Sequence, residues 1–196
     1  MTTKTAQRHL YVSMLVSLDG YIEGPHNELD WFDDENPQFE RYCDEMIDSV
    51  DVALFGRRSY DLMFSYWPKA EAEAGSPREL AFARKMNALP KVVFSRTLER
   101  AEWSNTRIVR DRIAEHVTEL KSQPGKSIVV WAGAEVVSTL SDLDLVDEYR
   151  LVVHPVLLGS GTPYFKNVRA PKKLRHVRTT QLGEGLVVLC YEPRRT

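Results

Sequence analysis

The chain has 196 residues, 43% of them hydrophobic and 28% charged, with a formal net charge of −2. That length suits one domain, read as 1–196, with room for a substantial core. The balance of 26 basic against 28 acidic residues removes a broad nucleic-acid surface, so any anion site must be local.

Residues His9–Leu18 (HLYVSMLVSL) form a nearly continuous apolar run ending in the turn pair Asp19-Gly20, and predict a buried strand. A loop rich in Gly, Pro, Asn and Asp follows, up to Pro37, which opens a helix reaching Ser49 with Phe39, Tyr42, Cys43, Met46 and Ile47 at helical spacing. A strand over Asp51–Phe55 comes next, then a short helix around Tyr60–Phe64. Trp67-Pro68 and the stretch Lys69–Ser76 read as a surface excursion. A helix over Pro77–Ala88 is stopped by Pro90, and strand Lys91–Phe94 follows.

Ile108–Val109 reads as a short strand, Ile113–Lys121 as a helix, Ser127–Trp131 as a strand and Gly133–Leu140 as a helix. The last part is strand-rich: Leu145–His154, Val156–Leu158, then a hairpin of Lys173–Leu182 and Leu186–Glu192 joined around Gly183-Glu184-Gly185. This alternation predicts an α/β fold, with a central mixed, mostly parallel sheet flanked by helices and a C-terminal antiparallel hairpin. Cys43 and Cys190 have no CxxC spacing and five scattered histidines have no ligand spacing, so neither a disulfide framework nor a metal site is expected. No apolar run reaches membrane length and Met1–Arg8 lacks a signal-peptide core, which predicts a cytoplasmic protein without membrane contact.

Three strands end in groups suited to phosphate, and in an open α/β sheet ligands sit beyond the carboxyl ends of strands. Gly56-Arg57-Arg58-Ser59 follows a buried strand and starts a helix: glycine lets backbone approach, free N–H groups attract anions, and arginine grips phosphate with two prongs. Ser95-Arg96 offers a hydroxyl and a guanidinium. Ala132-Gly133-Ala134-Glu135-Val136 brings small residues to a helix N-terminus. Neither GxGxxG nor a P-loop occurs, which speaks against an ordinary Rossmann dehydrogenase, and GxSxG and HExxH are absent. In the acidic loop, Asp30 and Trp31 are candidates for proton delivery and for closing over a substrate. Asp33 and Asp34 read as solvated, with Asp34 able to cap the next helix. Asp19 is a second catalytic candidate whose Asp-Gly context favours a turn role. Val156–Phe165 carries a double glycine for turning, and His154 before Pro155 reads as a core or pocket histidine.

Taken in order, SLDGYI, ELDWF, LFGRRSY, VVFSR, VVWAGAE and VDEYRLVVHPVLLGSGTPYF resemble the dihydrofolate reductase-like superfamily. They resemble most the stand-alone proteins grouped with the C-terminal reductase domain of the bifunctional riboflavin biosynthesis enzyme. The resemblance implies NADPH as cofactor, a small-molecule substrate and often a homodimer. It places Gly56, Arg57, Arg58 and Ser59 at the 2′-phosphate and pyrophosphate, Ser95 and Arg96 near the adenosine, and Ala132, Gly133, Ala134, Glu135 and Val136 beside the pyrophosphate. Ser13 stands where the riboflavin domain has a lysine, Trp131 where it has a glutamate, and its T-x-R-x-D-D-P segment and zinc-deaminase half are missing. The activity implied is NADPH-dependent hydride transfer to a small heterocyclic substrate. Two alternatives stay open: 5-amino-6-(5-phosphoribosylamino)uracil reductase, and a non-catalytic nucleotide-binding protein.

Overall fold

The computed structural model describes residues 7–32 and 36–194. Strand β1 (Leu10–Ser17) and a short β2 (Tyr21–Glu23) precede α1 (Pro37–Asp48) and β3 (Val50–Gly56). Then come α2 (Arg57–Glu73), α3 (Pro77–Ala88), β4 (Lys91–Phe94), β5 (Thr106–Val109), α4 (Ile113–Ser122), β6 (Ser127–Val130) and α5 (Ala134–Asp142). The chain continues through β7 (Glu148–His154), β8 (Thr162–Pro163), β9 (Leu174–Leu182) and β10 (Leu186–Pro193).

Eight strands make one sheet in the order β5-β4-β3-β6-β1-β7-β10-β9, and β2 pairs with β8 in a small antiparallel ladder. Every pairing from β5 to β7 is parallel, whereas β10 runs antiparallel to both β7 and β9. The central strands are apolar on both sides because both sides are covered. Leu10, Val12 and Val16 of β1 face a cluster that includes Val117 of α4 with Val137 and Leu140 of α5. Tyr11 faces the other cluster, with Ile47 of α1, Tyr60 of α2 and Met86 of α3. The mixed α/β architecture expected from the residues is the one observed.

Local differences have physical causes. Helix α2 runs on through Pro68 to Glu73, so Lys69–Glu73 is helical, not a surface excursion. Proline removes one intrahelical hydrogen bond and strains the preceding turn, but α2 is held from outside. Trp67 packs on Phe82 of α3, with ring centroids 5.2 Å apart. Asn87 donates to the Trp67 carbonyl at 3.2 Å and to Glu71 Oε2 at 2.6 Å, and its own carbonyl accepts from Trp103 Nε1 at 2.7 Å. Val156–Leu158, expected as a strand, is irregular: the Leu158 and Gly159 N–H groups bond to the Asp19 carboxylate instead of a ladder. The cap of α1 is Asn36, whose Oδ1 accepts from the N–H of Gln38 and Phe39. Asp33 and Asp34 lie outside the described residues.

At the start of β7, Glu148 is buried, 2.9 Å from His9 Nε2, and accepts two bonds from Arg150 at 2.9 Å each. Burial pushes its carboxyl up, but the hydrogen bonds and charges of His9 and Arg150 outweigh this and hold it at about 2. A carboxyl depressed on folding stabilises fully above its unfolded value of about 4.3 and loses that contribution as pH falls toward the folded value. Glu148→Gln is therefore expected to lower Tm at neutral pH and to flatten the loss of stability between about pH 4.5 and 2. Thermal melts across that window check this; an unchanged acid branch would contradict it.

Candidate functional site

The site is built by parallel register. Gly56 pairs level with Phe94 across β3 and β4, and Leu54 pairs with Val130 across β3 and β6. The ends of these three strands therefore come out side by side, and α2 and α5 begin as neighbours. A Cβ built on Gly56 would stand 3.1 Å from Val136 Cγ2, a tight contact that puts the two helix starts against each other. At Gly133 the same construction meets nothing within 4 Å, which leaves open space over the first turn of α5.

Helix starts leave backbone N–H groups without intrahelical partners. In α1 and α3 the side chains of Asn36 and Ser76 satisfy some of them. In α2, α4 and α5 no side chain caps the N-terminus; α2 follows directly from the carboxyl end of a parallel strand, and α4 and α5 each follow one after three residues. Beside them, between the ends of β4 and β5 and the starts of α4 and α5, lies a cavity of about 560 Å³ whose lining includes Ser95, Arg96, Arg110, Arg112, Glu135 and Val136. Arg110 is tied to the carbonyls of Leu98 and Glu99 at 2.8 and 3.4 Å. A second cavity, of about 600 Å³, involves Arg8 and Lys126 near the opposite ends of the strands. Its Arg8 is taken by Asp51 and its Lys126 by the Asp48 carbonyl.

The residues singled out in the sequence separate into groups. Gly56, Arg57, Arg58, Ser59, Ala132, Gly133, Ala134, Glu135 and Val136 come together at the two adjoining helix starts, with Ser95 and Arg96 one strand away. Arg57 pairs with Asp61 one turn on, Nε to Oδ2 at 2.6 Å. Arg58 reaches across to Glu23 and Asn27. The Ser95 hydroxyl accepts from the N–H of Thr97 and Leu98, closing the turn after β4. Asp19 accepts from Ser17 Oγ at 2.6 Å and from the N–H groups of Leu158 and Gly159, and these bonds hold its carboxyl below the ordinary range. It fastens the β1 turn to the 158–159 segment. Asp30 is exposed. Trp31 lies edge-on to His154 with centroids 5.4 Å apart, and Phe32 and Phe39 complete an aromatic surround for that imidazole, which is 1% exposed.

Sequence reasoning passed over Glu23, Thr162 and Arg112. Glu23 comes three residues after the Asp19-Gly20 pair, and its meeting with Arg58 needs the β2–β8 ladder, which no local pattern announces. Among the described residues no group of three His, Cys, Asp or Glu is placed to hold a metal ion, and no helix is long and apolar enough to cross a membrane.

The strand order and helix placement are those of dihydrofolate reductase-like proteins. A dihydrofolate reductase from Enterococcus faecalis, solved with NADP(H), superposes with a TM-score of 0.63 at 15% identity, over 96% of this chain and 98% of that one. A Shewanella sp. PV-4 protein provisionally assigned to riboflavin biosynthesis superposes with a TM-score of 0.74 at 20% identity, covering 95% and 99% of the two chains. The profile of the RibD C-terminal domain matches residues 8–188, and the chain belongs to that family. The uncharacterised protein YyaP of Bacillus subtilis (strain 168) is 38% identical over 193 residues, 97% of this chain and 98% of its own.

The glycine geometry separates ligand space from packing. Gly133→Ala is expected to leave stability within about 0.5 kcal/mol. Gly161→Ala is expected to cost more than about 2 kcal/mol, since its φ of +132° disfavours a side chain and its Cβ would collide with the Glu23 carbonyl. Chemical denaturation of both variants measures the contrast, and equal losses would contradict it.

Proposed function

We propose that this protein, as one domain, is a reductase that uses NADPH to reduce a small heterocyclic substrate. The observation that carries the reading is the set of uncapped helix starts at α2, α4 and α5, gathered at one sheet edge with Arg57, Arg58, Arg96 and Arg112. Unsatisfied N–H groups and the positive ends of the helix dipoles attract phosphate, and guanidinium groups grip it. The open space at Gly133 admits a diphosphate to the first turn of α5. The cavity beside it suits an adenosine, with Arg96 and Arg112 for an additional phosphate and Ser95 closing its turn. Family membership supports the same activity.

When bound, NADPH supplies the hydride. The chain's part is to hold the phosphates at Gly56–Ser59 and Ala132–Val136, and to exclude water where Trp31 and Phe32 lie over His154. Asp30, exposed on the same loop, is the candidate for proton delivery. Asp19, with three donors already on it, serves the loop and not the proton. Ser13, buried on β1, and Trp131, packed 5.9 Å from the Phe55 ring, carry no charge of their own for a phosphoribosyl pyrimidine. That supports a substrate other than 5-amino-6-(5-phosphoribosylamino)uracil.

Assembly as a homodimer belongs to the same reading. Leu151 and Val153 of β7 with Val187 and Leu189 of β10 are only partly buried, and Leu174 and Val177 on β9 are exposed.

Arg96→Ala is expected to weaken NADPH binding at least about tenfold, as loss of one charge-assisted phosphate contact does, and NADH much less. Fluorescence titration with both nucleotides reads the difference. Equal losses would remove the 2′-phosphate from this position, and a wild-type protein indifferent to millimolar NADPH would end the proposal.

A further inference from the structure

Arg58 stands in an electrostatically awkward place. It lies in the first turn of α2, where the dipole repels a cation, beside Arg57 and with no acid in that turn. The other four helices each carry a first-turn glutamate: Glu40, Glu79, Glu115 and Glu135. For Arg58 the counter-charge comes from across the crevice. Glu23 on β2 takes the guanidinium with both oxygens, Nη1 to Oε1 at 2.9 Å and Nη2 to Oε2 at 2.8 Å. Asn27 Oδ1 accepts from Nη2 at 2.6 Å. This is the fork geometry that arginine offers equally to carboxylate and to phosphate.

The two halves of the pair are unlike. The Glu23 side chain is 10% exposed, receives the Thr162 hydroxyl at 2.5 Å, and sits in a ladder where Gly161 lies against its backbone carbonyl. The Arg58 side chain is 64% exposed. Glu23 is therefore the fixed half, and Arg58 the half free to turn.

We propose that Glu23 is a positioning residue that occupies Arg58 in the free protein and yields it to a phosphate group of the incoming nucleotide. The exchange unties residues 21–27, the segment leading toward Trp31, from the start of α2. Carboxylate and phosphate compete for one guanidinium, so Glu23 keeps the arginine extended toward the crevice while lowering nucleotide affinity. The inference rests on the dinucleotide reading above, and adds to it an internal competitor and a coupling between phosphate binding and the β1–α1 loop. A partly exposed ion pair of this kind is weak enough to lose, worth about twofold to fivefold in affinity.

The test titrates NADPH against the wild type, Glu23→Gln, Asn27→Gly and Arg58→Ala, and follows amide hydrogen exchange over residues 21–27 with and without nucleotide. Asn27 has φ +70°, so glycine suits its backbone while removing the acceptor. It serves if Glu23→Gln folds poorly. Glu23→Gln and Asn27→Gly are expected to bind NADPH about twofold to fivefold tighter, and Arg58→Ala about tenfold weaker. Exchange over 21–27 rises in free Arg58→Ala, and in the wild type on adding NADPH. Tightening is a readout that structural damage alone does not produce. Unchanged or weaker binding by both competitor variants overturns the proposal, as does loop exchange indifferent to Arg58→Ala. A wild type that binds NADPH normally while the variants show no tightening refutes the exchange alone. A wild type that binds neither NADPH nor inorganic pyrophosphate refutes the nucleotide reading and the exchange with it.

Discussion

Everything at the candidate site depends on β6 lying between β3 and β1 in parallel register. That placement sets the end of β6 level with Leu54, two residues short of the end of β3, and the starts of the two following helices come close together. Close approach at that point leaves little room beside Gly56, where an added Cβ would stand 3.1 Å from Val136 Cγ2. The cost is two helix starts whose positive ends adjoin and whose N–H groups lack side-chain caps. The two arginines in the first of those turns are met by Asp61 and Glu23, and Glu135 stands in the first turn of the other, so each helix start has an acid close by.

The crevice has two sides of different character. On the α4 and α5 side it is open and carries both charges, with Arg96, Arg110 and Arg112 beside Asp111, Glu115 and Glu135 in the cavity between β4, β5 and the two helix starts. Toward α1 it is closed and aromatic, with Trp31, Phe32 and Phe39 around His154. A molecule with a phosphorylated end and a flat ring would find complementary surroundings at each. The segment from Asp19 to Asn27 joins the two: Asp19 anchors it to residues 158–159, and Glu23 to Thr162 and Arg58.

Much of this was legible in the residues, because the signals were local. Strands buried on both sides are continuous apolar runs, as in DVALFG and SIVV, and the groups after them follow in the next positions. What escaped depended on partners distant in the chain. Pro68 reads as a breaker until Asn87 and Phe82, about twenty and fifteen residues on, are seen holding the helix around it. Leu157 and Leu158 look like strand residues, but the carboxylate of Asp19 takes the N–H groups of 158 and 159 from any ladder. Glu23 is one acid among 28 Asp and Glu, and only a two-residue β8 reveals it as buried.

The insertion of β6 has a consequence for how the chain comes into being. Strands β1 and β3 leave the ribosome well before the strand that separates them, and each waits with an unpaired parallel edge until about residue 130 has emerged. Pairings between distant segments form slowly, and until they do such edges are open to other chains. Strand β7, the other neighbour of β1, emerges later still, so β1 stays without either partner until β6 and then β7 follow it out.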